Sequence, residues 1–379
     1  MTNLSHHLSD PPNRPFKDIY HGKRVLVTGH TGFKGSWLSA WLLELGANVV
    51  GFSLNIPTNP SNFEVLDLEN KLKHIKGDIR DFEHLKQVFT DFSPEMVFHL
   101  AAQPITRLSY DKPQETFNTN LFGTVNVLEC IRISKTVKAA VIITSDKCYQ
   151  NVEWIWGYRE NDRLGGDDPY SASKACAEIA CHSYIKSFFS SQNSPKVSTA
   201  RAGNVIGGGD WAKDRIVPDC VRAFSKGEKA EIRSPNATRP WQHVLEPLSG
   251  YLWLGANLLQ DNERVTGESF NFGPLSDTST SVEGLIKEFI EMWGDGKWYE
   301  SDKGNKDKKE SNLLKLNCDK ALQILKWHIV FSFEENLRFT TNWYKTFYNK
   351  EKDMYRFTTK QIEDYTDLAR KRGLIWAKH

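Results

Sequence analysis

Neither sign of charge dominates this chain: across 379 residues Lys plus Arg number 49 and Asp plus Glu 47. That balance leaves no electrostatic footprint for nucleic acid, so a basic site for phosphate has to be local. Cysteine is scarce too. The six present, Cys130, Cys148, Cys176, Cys181, Cys220 and Cys318, form neither C-x-x-C pairs nor a regular framework. This argues against a disulfide scaffold and suits a reducing cytosol; Cys176 and Cys181 flank a helix turn and read as core. There is no run of about eighteen apolar residues, which speaks against a membrane span. The first twenty residues are polar and contain proline, without the apolar stretch a secretion signal needs. No internal repeat and no metal-ligand spacing is visible, and the 12 tryptophans, scattered along the chain, read as packing. The expectation is a cytoplasmic protein without nucleic-acid, membrane or metal partners, long enough for a large core in two lobes.

What is present is an alternation. Arg24-Val25-Leu26-Val27-Thr28 reads as a buried strand, and Ser36 to Leu45 then carries apolar residues at helical spacing. Gly46 is placed to end that helix, and Asn48-Val49-Val50-Gly51-Phe52 resumes as a strand. Met96 to Leu100, Ala139 to Ile143 and Lys196 to Ala200 read as further strands. Between them Asn120 to Ser134, and a segment starting near Tyr170 and running to about Phe189, read as helices. Short apolar strands separated by helices predict an α/β fold, a Rossmann-like doubly wound parallel sheet. Beyond residue 205 glycine- and proline-rich loops such as Gly207-Gly208-Gly209-Asp210-Trp211 suggest a smaller, mixed α/β C-terminal substrate lobe. Lys303 to Lys309 reads as a solvated charged loop.

Two constellations carry chemistry. The first is the turn Thr28-Gly29-His30-Thr31-Gly32-Phe33-Lys34-Gly35. Glycines there let the backbone approach a pyrophosphate, and the following helix N-terminus supplies N–H groups and positive potential. The spacing is Gly-x-x-Gly-x-x-Gly; an ordinary tight βα turn would also fit it. No acidic residue closes the second strand, where Phe52-Ser53-Leu54-Asn55 stands, so the ribose end leaves both NAD and NADP open. Lys34 has three candidate partners: a 2′-phosphate, the pyrophosphate or solvent. Asp78, in Gly77-Asp78-Ile79-Arg80-Asp81, either reaches an adenine or forms a turn.

The second is Thr144-Ser145-Asp146-Lys147 at the carboxyl end of an apolar strand, where open α/β sheets hold their ligands. Ser145 can hydrogen-bond a substrate oxygen, and Asp146 can act as an acid if burial raises its pKa. Further on, Tyr170 and Lys174 stand one helical turn apart, on one face. A nearby ammonium favours phenolate, which could take a proton from a sugar hydroxyl. Ser145 has no histidine at a recognisable spacing, which argues against hydrolysis.

The glycine turn, His99-Leu100-Ala101-Ala102-Gln103, Thr144 to Lys147 and Tyr170 to Lys174 together resemble the extended short-chain dehydrogenase/reductase family. Closer markers are Gly29 to Trp37, Glu153-Trp154-Ile155-Trp156-Gly157-Tyr158-Arg159-Glu160, Arg201 to Trp211 and Arg239 to Leu248. They are similar to the sugar-nucleotide 4,6-dehydratase branch, and within it to the members acting on CDP-glucose. The resemblance spans about residues 24 to 275.

It implies bound NAD as a recycled hydride store, held by Gly29, Thr31, Gly32, Phe33, Lys34, Gly35, Asp78, Ile79, Ala101, Ala102 and Gln103, with Tyr170 and Lys174. Tyr170, kept as phenolate by Lys174, would take the 4-hydroxyl proton while Ser145 holds that oxygen. Asp146 would protonate the departing 6-hydroxyl. Lys147 stands where other 4,6-dehydratases carry Glu; it would be the C5 base if neutral, or would stabilise the enolate if charged. Arg239, Asn204, Asn271, Arg233 and Gln103 would contact the nucleotide sugar, with Arg233 equally readable as a surface strand residue; His243 reads as a core histidine. The implied product is a 4-keto-6-deoxy sugar for bacterial surface polysaccharide, and the implied assembly a homodimer or homotetramer. An epimerase or reductase of the same fold, or a non-catalytic dinucleotide sensor, are the alternative readings. The expected division is a polar extension (1–20), an NAD-binding domain (21–203 plus about 242–272), a sugar-nucleotide lobe (about 204–241 and 273–349) and a C-terminal extension (350–379).

Overall fold

The computed structural model describes residues 14–274, 280–301, 313–350 and 353–378; the charged run Lys303 to Lys309 lies outside them. In chain order the strands are β1 Arg24–Thr28, β2 Asn48–Ser53, β3 Lys73–Lys76, β4 Met96–His99, β5 Ala139–Ile143, β6 Lys196–Ala202 and β7 Val205–Ile206. They continue with β8 Lys229–Ile232, β9 Thr238–Arg239, β10 Gln242–His243, β11 Ser269–Phe272, β12 Thr280–Ser281 and β13 Lys297–Glu300. The helices are α1 Phe33–Glu44, α2 Asn62–Val65, α3 Phe82–Phe92, α4 Thr106–Asp111, α5 Pro113–Phe117 and α6 Gly123–Ile133. After these come α7 Pro169–Phe188, α8 Ile216–Phe224, α9 Leu245–Leu259, α10 Val282–Trp293, α11 Phe333–Asn349 and α12 Met354–Lys371.

Seven strands form one sheet in the order β11-β6-β5-β4-β1-β2-β3, all parallel. A parallel sheet is covered on both faces, so its strands read as continuous apolar runs rather than alternating ones. In β5 every residue is buried. Successive side chains still point to opposite faces. Val25, Val27, Met96, Phe98 and Val141 enter the core shared with Trp37, Trp41 and Leu252, whereas Leu26, Val97, Ala140 and Ile142 meet Leu85, Val127 and Cys181. From β1 the chain steps outward to β2 and β3 and then returns to β4 on the other side. This switch point opens a crevice at the carboxyl ends of β1 and β4.

The smaller lobe hangs on the same end. β7 pairs with β10 and β8 with β13, both parallel, and β9 runs antiparallel to β12. Phe224, Leu285 and Phe289 of this lobe belong to the same apolar cluster as Trp37 and Leu252, so the two parts share a core. The helix expected from Asn120 begins as a wider turn, Asn118–Phe122, before α6.

Among the described residues, segments near both ends of the chain pack into the fold. Phe16, Tyr20, Tyr365 and Trp376 are buried to within 1% of full exclusion from solvent. Phe16 stacks on Trp376 at 5.1 Å, and Trp41 of α1 meets both rings edge-on at 5.7 and 6.2 Å. Residues from opposite ends of the chain therefore pack together against the outer face of α1. Tyr20 also donates its hydroxyl to the Leu252 carbonyl of α9 at 2.5 Å. These segments complete the core beneath the glycine turn.

Candidate active site

The crevice is built by backbone contact. Gly29 follows β1 with φ +76°, and a Cβ on it would stand 2.7 Å from the Ala101 nitrogen after β4; only glycine allows both the angle and the approach. A Cβ at Gly35 would be driven into the Gly29 carbonyl. Gly32 caps α1 in extended conformation and donates its N–H to Gly29 O at 3.1 Å. The unpaired N–H groups of the first turn of α1 then face the crevice. The Thr31 hydroxyl donates to Asn55 O at 2.7 Å, and the Phe33 ring lies against Gly207. This cradle, kept open by missing side chains at a helix N-terminus, fits a dinucleotide pyrophosphate.

Around it, several expected contacts have other partners. Lys34 is half-buried at the start of α1. Its Nζ lies 6.0 Å from the Tyr251 ring, and burial, with Arg215 and Lys174 nearby, lowers it to about 8 while Asp146 opposes. Asp78 is gripped by Arg80 at 2.5 Å, which holds its carboxyl below the usual range, so an adenine would have to share it. Ile79 is buried, and a Cβ at Gly123 would meet it at 2.5 Å. The Ala101 N–H reaches Thr28 Oγ1 at 3.3 Å, and Ala102 is half-buried at the crevice wall. The Gln103 amide braces its own loop, donating to Thr116 Oγ1 at 3.0 Å and accepting from Ile105 N at 2.6 Å.

Across the crevice lies α7. Asp168 caps it, accepting from Ser171 N at 2.9 Å, with Pro169 in the first turn; the cap fixes where Tyr170 enters. Tyr170, Lys174 and Glu178, spaced by single turns, are 8%, 6% and 3% exposed. Burial drives the Tyr170 phenol up to about 12, against its hydrogen bond with Ser145 and the charge of Arg215. Burial also drives Lys174 down to about 8, against the pull of Glu178. Asp146 is buried at 6% exposure and raised by that burial, with Lys147, Ser145 and Lys34 pulling the other way. Ser145 donates to Asp146 Oδ1 at 2.9 Å, and a Cβ at Gly203 would come within 2.9 Å of Asp146 Oδ2. Lys147 is half-buried and donates to Thr106 Oγ1 of α4 at 3.4 Å.

The residues expected to meet the sugar nucleotide divide. Asn204 is half-buried beside Gly203, its carbonyl accepting from Gln242 N. Arg239 stands on β9 and donates to Thr238 O at 2.9 Å. Arg233 pairs with Asp214 at 2.6 Å. Asn271 is a correction. It is wholly buried; its Nδ2 donates to Tyr158 O and Asn317 O at 2.9 and 3.0 Å and its Oδ1 accepts from Tyr149 OH at 2.8 Å. Both amide protons are taken, so it has no donor left for a ligand. His243 is buried and pushed by burial to about 3, a neutral core histidine.

Several residues were missed by sequence reasoning. Arg215 pairs with Asp210 at 2.7 Å, remains 35% exposed, and acts on both Tyr170 and Lys34. It lies just beyond Gly207 to Trp211, a run read as loop composition, which gives no sign of a nearby cation. Asn120 holds Gln103 N at 2.8 Å and donates to Ser173 Oγ at 2.9 Å, tying the crevice wall to α7. His30 bridges Ser53 Oγ at 2.9 Å and His74 Nδ1 at 2.7 Å, at the strand end where an acidic residue had been sought.

A dinucleotide cradle facing a helix with Tyr-x-x-x-Lys defines a short-chain dehydrogenase/reductase of the extended type. Residues 26–340 match the family described as GDP-mannose 4,6 dehydratase, and the chain belongs to that family. A CDP-glucose 4,6-dehydratase from Salmonella typhimurium is 47% identical over 353 residues, covering 92% of this chain and 98% of the relative. Solved structures share the fold. A UDP-glucose 4-epimerase from Thermotoga maritima with UDP-glucose superposes with TM-score 0.73 at 24% identity, covering 86% and 99% of the two chains. DesIV, a dTDP-glucose 4,6-dehydratase from Streptomyces venezuelae with NAD and TYD bound, gives 0.72 at 22% identity, covering 87% and 99%.

Proposed function

We propose that the protein is an NAD-dependent hydro-lyase that converts CDP-D-glucose to CDP-4-keto-6-deoxy-D-glucose. One observation carries the reading: a buried Asp146, its carboxyl raised by that burial, stands beside the Ser145–Tyr170 pair in a chain 47% identical to a CDP-glucose 4,6-dehydratase. An epimerase or reductase needs Tyr170 and Lys174 but has no use for an acid aimed at a leaving hydroxyl.

Gly29, Gly32 and Gly35 would hold NAD in the cradle, where it would supply a reversible hydride store for C4 and C6 of the sugar. Tyr170 takes the 4-hydroxyl proton, and Ser145 holds the oxygen. A phenol at about 12 needs positive charge close by to serve as a base, and Lys174 and Arg215 supply it. The 4-ketone acidifies the C5 proton. Asp146, raised by burial, delivers its proton to the 6-hydroxyl as it leaves. Lys147, if neutral, takes the C5 proton and returns it to C5 when the hydride reaches C6; if charged, it is the counter-charge to the enolate and another group carries that proton. Arg239 and Asn204 bind the nucleotide diphosphate; a guanidinium suits that group because it donates in a planar fork.

The proposal includes a cytoplasmic homodimer or homotetramer. Among the described residues no helix is long and apolar enough to cross a membrane. Ile179 and Phe188 on α7, with Phe122 and Ile133 beside α6, are 57%, 49%, 57% and 41% exposed, a face that a second copy would cover. Light scattering in solution tests the assembly.

Incubation with CDP-glucose, without added NADH, should give alkali-induced ketosugar absorbance. Absence of that signal across CDP-, dTDP-, UDP- and GDP-hexoses would end the reading, and a signal with another base would move the specificity. Tyr170→Phe should lower turnover by several orders of magnitude with CDP-glucose binding largely kept; full activity would refute the role of Tyr170.

A further inference from the structure

Behind the Tyr170–Lys174 pair lies a second charged layer that the reaction above does not use. Glu178 follows Lys174 by one turn on the same buried face of α7. Its carboxylate accepts from four side chains: Arg201 Nη2 at 2.7 Å, Thr199 Oγ1 at 2.9 Å, Ser269 Oγ at 3.3 Å and, at shorter range, Thr144 Oγ1. Glu178 and Arg201 are 2% and 3% exposed. Thr144 immediately precedes Ser145, so the carboxylate touches the strand end that carries the acid and the oxygen-holding hydroxyl. The other arm of Arg201 donates to Tyr149 OH at 2.7 Å and Glu160 O at 3.0 Å.

A buried ion pair is a poor source of net stability, because desolvation offsets most of its attraction. Its placement points elsewhere. Lys174 is buried, and among the described residues its Nζ reaches the Ile143 carbonyl at 3.5 Å. The ionisable groups acting on it are Glu178 and Cys181 on α7, Cys148 after β5, His99 on β4 and Lys34 on α1. Burial keeps both thiols neutral by raising them and keeps His99 neutral by lowering it to about 3. Lys34 repels the ammonium. Glu178 is thus the one anion among these groups, and its four donors hold it ionised despite burial.

We propose that Glu178, clamped by Arg201, is a positioning residue that keeps Lys174 protonated behind Tyr170. Arg201, on β6, holds the carboxylate through Nη2 at 2.7 Å and so fixes the anion in place. The inference rests on the proposed role of the Tyr170–Lys174 pair, but its test does not depend on turnover.

The Lys174 ammonium can be titrated by heteronuclear NMR of lysine side chains in the full chain, assigned with Lys174→Met. Lys174 should titrate near 8 in the native protein and at least about one unit lower in Glu178→Gln, which is a tenfold loss of the ammonium above that pKa. The alkaline limb of kcat/KM with CDP-glucose should move down with it. Glu178→Asp should restore most of the shift. An unchanged Lys174 titration in folded Glu178→Gln, or a pH profile merely scaled down, would overturn the proposal. Should Glu178→Gln fail to fold, Thr144→Val and Thr199→Val, which loosen the carboxylate without removing it, must shift Lys174 downwards or the proposal falls. If native protein turns over no nucleotide hexose, the functional reading fails while the titration still decides this one.

Discussion

At the scale of single residues, the site separates two proton-handling tasks by environment. Tyr170 and Asp146 are both raised by burial, yet in the proposed reaction they work in opposite senses, one accepting a proton and the other giving it. Asp146→Asn keeps the shape and removes the acid. Hydride transfer from C4 should survive, whereas loss of the 6-hydroxyl should slow by about 100- to 10,000-fold. Transient absorbance should then show reduced cofactor accumulating on CDP-glucose; ketosugar formation at the native rate would remove Asp146 from the mechanism. These roles were legible because Ser145, Asp146, Tyr170 and Lys174 occur in short fixed runs whose placement follows from one strand end and one helix start. Arg215 and Glu178 were not, because Arg215 acts on Tyr170 and Lys34, remote in sequence, and Glu178 is held by Thr199 and Arg201 from β6. Lys34 was legible as a basic residue in the turn but not in direction, since nothing local says that Tyr251 and Asp146 stand opposite it.

At the scale of elements, the strongest constraint is the junction of β1, α1 and β4. Apolar runs predicted β1 and β5 with the observed bounds, and β2, β4 and β6 to within one or two residues at an end, because a strand buried on both faces leaves little ambiguity. Helix starts were harder. The segment at Asn120 begins as a wide turn whose shape answers to Gln103 and Ser173 across the crevice. Gly35→Ala tests the junction itself. The new Cβ would be driven into the Gly29 carbonyl, forcing the turn away from Ala101 and the first N–H groups of α1 out of register with a pyrophosphate. Calorimetric NAD affinity should fall by at least about tenfold, roughly 1.4 kcal/mol, while the melting temperature changes little. Unaltered NAD affinity would mean that the dinucleotide is held elsewhere.

At the scale of the whole molecule, the chain ends bear on the site through packing that sequence patterns could not reveal. Phe16 and Trp376 meet from opposite termini, and no local periodicity announces such a pair. Their cluster adjoins Tyr365 of α12, whose hydroxyl donates to Glu246 at 2.8 Å. Glu246, on α9 and 1% exposed, also accepts from Val330 and Phe331 N–H at 2.9 and 2.7 Å. One carboxyl thus joins α9, the segment before α11 and the C-terminal helix. Burial raises it to about 7, against those donors. A raised folded value means that the fold prefers the neutral carboxyl. The associated stability is fully present below the unfolded value near 4.5 and is lost as pH rises through about 7. Glu246→Gln is neutral at every pH and removes that dependence. Between about pH 5 and about pH 8 the native chain should therefore lose up to about 3 kcal/mol relative to the variant, read as the difference between their denaturant-unfolding curves. The difference should open on the alkaline side, with the variant then the more stable. Parallel curves across that range would show that the Glu246 carboxyl titrates alike in the folded and unfolded chain, and that the C-terminal helix is held without regard to its charge.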